Sequence, residues 1–145
     1  MQPSRLVQLI ETNSDRLAET MMMRLQTSDR LTSFKHVPRE EFRQRVYEIY
    51  DHLGEWLQAK KEEDVARRYV EIGMRRASQG ALLSELMYAL ILTREHLWDF
   101  LKHESKAHRP AEVFEELEVL ELLQQFFDRA MYYAAQGYEK QGETR

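Results

Sequence analysis

Catalysis in a chain without cysteine has to rest on histidines, carboxylates or hydroxyls, and here none of them forms a pattern that a known chemistry requires. The five histidines are His36, His52, His96, His103 and His108. A zinc-protease helix carries two histidines at i and i+4 with a glutamate between them, so that both rings reach one ion. His103 and His108 stand at i and i+5 beside Pro110, which is the wrong geometry. A di-iron bundle site uses Glu-x-x-His on two helices, and no histidine here has a glutamate three residues before it. A globin-type haem needs an inward histidine on a helix; His52 and His96 fall on the flanks of their helices. Ser78 and Ser84 lie on either side of Gly80, but Ser84 reads as a helix N-cap whose oxygen accepts a backbone N–H. Ala77-Ser78-Gln79-Gly80-Ala81 does not have the spacing of a phosphate-binding loop. The residues therefore imply no catalytic centre, no metal and no cofactor.

What remains chemically notable is two arginines on apolar stripes, Arg76 and Arg94. A buried guanidinium needs a carboxylate, since an unpaired buried charge costs several kcal/mol. Glu85 and Asp128 are the candidate partners. Two readings stay open. One is a pair of structural ion pairs. The other is a pocket for a carboxylate or lipid-like ligand, anchored by Arg76 or Arg94 and lined by Glu85 and Trp98, of the kind that facing helices build in bundles.

The elements that would position these residues are all helical. The chain has 145 residues, enough for one domain, with only 5 Gly and 3 Pro to interrupt it. Apolar spacing and breakers predict five helices, over residues 4–26, 38–61, 62–80, 82–106 and 110–136, the last continuing toward Tyr138. Pro38 suits a first helical position, and Gly80 suits a C-terminal cap. The hydroxyl-rich segment 27–33 reads as a loop. Inward stripes run through Leu6, Ile10, Asn13, Leu17, Met21 and Leu25, then Phe42, Val46, Ile49, Leu53 and Leu57. They continue through Val65, Tyr69, Ile72 and Arg76, and through Leu83, Leu86, Leu90, Arg94, Leu97 and Leu101. No alternating strand pattern and no repeat competes. The expected fold is all-α, an antiparallel bundle of about five helices forming one domain over 1–145, with a globin-like topology as the alternative.

The fifth helix carries two apolar faces. One is Leu120, Leu123, Phe127 and Ala130; the other is Leu122, Phe126 and Tyr133. A helix apolar on two sides is central in its bundle or shared with a partner, so Leu122, Phe126 and Tyr133 are the expected interface of a homodimer. A net charge of −4 and acidic residues among the Arg67-Arg68 and Arg75-Arg76 pairs argue against nucleic acid as a partner. No run approaches a membrane span, and the N-terminal apolar stretch is too short for a signal peptide, so the expected location is the cytoplasm.

The stretch from Arg68 through Arg76-Ala77-Ser78-Gln79-Gly80, continuing Ala81-Leu82-Leu83-Ser84-Glu85-Leu86 to Arg94 and Trp98, resembles the N-terminal domain of RsbRD-type proteins, co-antagonists of the bacterial stressosome. The resemblance is strongest over residues 65–101 and extends to Phe126-Phe127-Asp128-Arg129-Ala130. It implies a helical, globin-like or bundle sensory domain, dimeric, that passes a signal to a partner or output domain and does no catalysis. Arg76, Gly80, Leu83, Glu85, Leu86, Arg94 and Trp98 match the pattern. The roles implied are structural: Gly80 as left-handed cap, Glu85 as partner of an arginine, Trp98 as core packing. No output domain follows within the chain, which fits a stand-alone or excised sensor domain.

Overall fold

The computed structural model describes residues 5–58, 62–104 and 110–143. Where the stripes predicted one helix over 4–26, Asn13 breaks it in two. The Asn13 Nδ2 donates to the Leu9 carbonyl at 2.8 Å, an oxygen the Asn13 N–H also uses. Side-chain competition of this kind unwinds a helix locally. The result is α1 (Arg5–Thr12) and α2 (Ser14–Gln26). The second predicted helix also breaks, at His52, giving α3 (Arg39–Asp51) and α4 (Leu53–Gln58).

The two breaks face each other. Ser14 Oγ donates to Asp51 Oδ1 at 3.1 Å, and Glu11 Oε2 accepts the Gly54 N–H at 3.1 Å. Glu11 thus satisfies an amide that the break at His52 frees, and the Ser14–Asp51 bond ties the two bends together. Pro38 stands just outside α3, with ψ 134°, and its carbonyl accepts the Phe42 N–H.

Helix α5 (Glu62–Ser78) starts on three acidic residues, as the helix dipole favours. It stops at Gly80, where φ is +84°. The Ala81 N–H reaches the Arg76 carbonyl and the Gly80 N–H the Ala77 carbonyl, the paired bonds of a Schellman cap. The third predicted helix and its glycine stop are as the spacing indicates.

Helix α6 (Leu83–Glu104) and helix α7 (Pro110–Glu143) complete the chain. The predicted ends of the second and fourth helices, at Lys60-Lys61 and Lys106, lie outside the described residues, as does His108. Helix α7 runs past Tyr138 to Glu143, with Gly137 buried in a helix crossing. Among the described residues there are seven α-helices, one short 3-10 turn (Thr32–His36) and no strand, so the fold is all-α.

One core joins these elements. Tyr50, Leu53, Leu97, Leu123 and Phe127 are fully buried at its centre. The Tyr50 hydroxyl is satisfied there by the Thr93 carbonyl at 3.0 Å. The tightest packing is between α5 and α7. A Cβ on Gly73 would collide with the Ala134 backbone, and one on Gly137 with the Val70 backbone. Two glycines facing opposite helices let the backbones touch.

Candidate functional site

Glu41 is the shared acceptor of two arginines and a glutamine. Arg75 grips it with Nε on Oε1 at 2.7 Å and Nη2 on Oε2 at 3.1 Å. Arg76 Nη1 reaches the same Oε1 at 3.0 Å, and Gln79 Nε2 donates to both oxygens. The Arg75 hydrogen bonds, and then those of Arg76, outweigh the cost of burial and hold the Glu41 carboxyl at about 2, well below its usual range. Burial lowers the pKa of Arg76, and Glu41 offsets part of that shift. Arg76 is only 3% exposed and also donates to Gln79 Oε1 at 2.8 Å, with its guanidinium over the Phe42 ring. Two turns along, Arg68 binds Glu48 at 2.6 Å, so α3 and α5 are joined by a second arginine–carboxylate pair.

Arg76 is buried, as its stripe predicts, but its partner is Glu41 and not Glu85. Glu85 is engaged elsewhere. Its Oε1 accepts the Ser33 N–H at 2.9 Å, while Ser33 Oγ accepts the Leu82 N–H at 2.9 Å. Ser33, on the 3-10 turn 49 residues away, thus exchanges two hydrogen bonds with the start of α6. Ser33 therefore does the work that the spacing assigned to Ser84, which is exposed in the first turn of α6. Neither Glu41 nor Ser33 was legible as a functional residue, because each meets its partners only after the chain has folded.

Arg94 lies further out than its stripe predicts, its side chain a quarter exposed, and its Nη1 stands 3.5 Å from Asp128 Oδ1 on α7. Trp98 is half-buried against a groove shared with Leu6, Leu101 and Leu120. The candidate ligand residues Arg76, Arg94, Glu85 and Trp98 thus meet four different sets of partners and do not converge on one site. A cleft does lie beside Arg76, walled by Phe34, Phe42, Tyr69, Ile72 and Leu90. Its volume is about 40 Å³. Small-molecule sites commonly measure about 300 Å³ or more, so the cleft as it stands has room for a water or two and not for a lipid chain.

The two flanking histidines have local partners. His52 sits at the α3–α4 break, with Nδ1 3.2 Å from Glu55. His96 Nε2 lies 2.8 Å from the Thr20 hydroxyl, and its Nδ1 lies 3.4 Å from Arg24 Nη1. Thr20 already donates to the Arg16 carbonyl, which assigns the proton of His96 to Nε2. Burial and then Arg24 lower the His96 pKa. Among the described residues no group of three His, Cys, Asp or Glu side chains is arranged to hold a metal, and no helix is long and apolar enough to cross a membrane.

The three residues read as an interface separate on α7. Leu122 is 40% exposed. Phe126 is 5% exposed and belongs to the core of its own chain, stacked among Trp56, Tyr69 and Phe127. Its apolar neighbours on α4 and α5, which the helix's own periodicity does not reveal, account for the burial. Tyr133 is half-buried and donates its hydroxyl to Glu62 Oε1 at 3.1 Å. Large apolar side chains stay exposed elsewhere on the same helix, at Val113, Phe114, Leu117 and Tyr132.

The family model described as RsbT co-antagonist protein rsbRD N-terminal domain matches residues 15–145. None of the curated proteins and none of the solved structures gives a significant match to the chain.

Proposed function

The chain belongs to the RsbT co-antagonist protein rsbRD N-terminal domain family, and from that premise we propose that it is a non-catalytic regulatory domain of bacterial stress signalling that works as a homodimer. The family is one of regulatory domains. The observation that supports dimerisation is the outward side of α7. Leu122 and Tyr132, 40% and 57% exposed, stand there on either side of the buried Phe126 and Phe127. We read these exposed apolar side chains as part of a surface that is covered in the working state. The Tyr132 ring lies against that of Tyr133, which Glu62 fixes, so the surface is preformed and little side-chain freedom is lost on contact.

The regulatory reading rests on protein contacts because the cleft beside the buried Arg76 offers a signal molecule little space. Native mass spectrometry of the full chain tests it. The wild-type protein is expected at twice the chain mass, and Leu122→Glu or Tyr132→Glu at the single mass with unchanged helicity. A wild-type protein that is monomeric at micromolar concentration overturns the dimer.

A further inference from the structure

Where α3 and α5 meet, the arginines outnumber the carboxylates. Arg68, Glu71, Ile72, Arg75 and Arg76 recur at i, i+3, i+4, i+7 and i+8, one face of α5. Glu41, Arg45 and Glu48 recur at i, i+4 and i+7 on α3. Those six residues Arg45, Arg68, Glu71, Ile72, Arg75 and Arg76 border one small cleft of about 20 Å³. It shares Arg45, Ile72 and Arg76 with the larger apolar cleft.

Three carboxylates answer the four arginines, and the two inner ones are each shared. Glu41 serves Arg75 and Arg76. Glu48 serves Arg68 at 2.6 Å and Arg45 at 3.5 Å. The third, Glu71, stands 3.8 Å from Arg68 with its side chain 70% exposed, where solvent screens it. Positive charge is left over at the cleft. Its floor is Arg76, whose side chain is 4% exposed, and its rim includes Arg75, 58% exposed.

Arg76 also has donors to spare. Among the described residues all its hydrogen bonds run through Nη1, to Glu41 and Gln79. Its Nε and Nη2 have no acceptor there. Buried N–H groups are nearly always paired, with protein or with something bound. Guanidinium edges match the oxygens of a tetrahedral oxyanion, and several arginines around one point favour such an anion over neutral water. The cleft admits one oxygen-sized atom. The rest of the anion stays at the mouth, so no large cavity is needed.

We propose that Arg45, Arg68, Arg75 and Arg76 form a binding site for phosphate, free or as the terminal group of a small phosphate monoester. One oxygen enters toward Arg76, and the outer oxygens meet Arg45, Arg68 and Arg75. The site joins α3 to α5 and lies apart from Leu122 and Tyr132, so it goes beyond the regulatory reading and does not depend on the dimer.

Isothermal titration calorimetry of the full chain tests it, with inorganic phosphate added in a phosphate-free buffer whose ionic strength is held constant with chloride. Saturable binding at millimolar phosphate or below is expected, with a higher melting temperature than in the chloride control. Arg45→Gln should weaken binding about tenfold. Glu71→Gln should tighten it several-fold, a gain that misfolding does not produce. Arg67→Gln, which changes an arginine bound to Asp64 outside the cleft, should leave it unchanged. Glycerol phosphate identifies the source: binding as tight as that of phosphate or tighter supports a monoester, and weaker binding supports the free ion. The proposal is overturned by an absence of binding beyond the chloride control, by wild-type affinity in Arg45→Gln, or by Glu71→Gln binding no tighter than wild type. A monomeric wild-type protein that binds phosphate would remove the homodimer and leave this site standing.

Discussion

Glu41 shows how much a single carboxylate can hold at one point. It is the common acceptor for Arg75, Arg76 and Gln79, and Arg76 has nowhere in the core to send its charge without it. Removing one partner of a buried pair leaves the other uncompensated. Glu41→Ala should therefore destabilise the fold by about 3 kcal/mol at neutral pH, measured by urea denaturation. The pH dependence follows from the lowered pKa. Unfolded Glu41 titrates near 4.5 and folded Glu41 near 2, so its contribution is complete above 4.5 and is lost as the pH falls toward 2. The gap between wild type and variant should close over that window and stay constant above it. A gap that widens on acidification would show that Arg76 has another counter-ion.

At the scale of elements, the α5–α7 crossing is where packing is least forgiving. Gly73→Ala and Gly137→Ala each push a methyl group into the opposite backbone, which has no rotamer to yield. Thermal unfolding should register a loss of about 3 kcal/mol for either, at the upper end of overpacking costs. Gly142 is the contrast. A Cβ there meets nothing within 4 Å, so Gly142→Ala should be neutral or gain up to about 1 kcal/mol from helix propensity. Equal effects at the three positions would place the cost in helix propensity and not in the crossing.

These elements also show what the sequence could and could not reveal. The stripes through Leu17 and Met21, Val46 and Ile49, Val65 and Tyr69, and Leu86 and Leu97 are all buried as read, because helical periodicity is a local property. The breaks at Asn13 and His52 stayed hidden, since apolar spacing runs through both; the local Asn13–Leu9 bond leaves no trace in the stripe, and the Gly54 amide finds Glu11 only across the fold. Glu85 read as an arginine partner because its charge is visible in sequence and the Ser33 amide it caps is not. Phe126 was misplaced for a related reason. Two apolar faces on α7 are evident from spacing, but only the position of Trp56 and Tyr69 decides which one the chain covers itself.

Across the whole molecule, α1 to α7 contribute to one core, with Trp56 near the α4–α5–α7 cluster and Trp98 beside α1 and the first half of α7. The two tryptophans thus report on different regions. If residues 5–143 form one folding unit, tryptophan fluorescence and far-ultraviolet circular dichroism should trace superimposable urea transitions. Two separated fluorescence steps would divide the chain into independently unfolding parts.

Helix α7 has 34 residues and is about 51 Å long. Its second half is clamped backbone to backbone against α5, while its first half touches the bundle on one side only and leaves Val113, Phe114 and Leu117 in water. Mechanically it is a beam held at its far end by the glycine crossing and along its middle by Val119, Leu123 and Phe127, with its first turns overhanging. A force applied at Phe114 acts on the crossing at Gly73 and Gly137 with a lever arm of some twenty residues, about 30 Å. Because the clamp has no side chains to compress, it cannot absorb a small deflection by repacking, so the bundle must take up the load as a rigid tilt of α5 and α7 together.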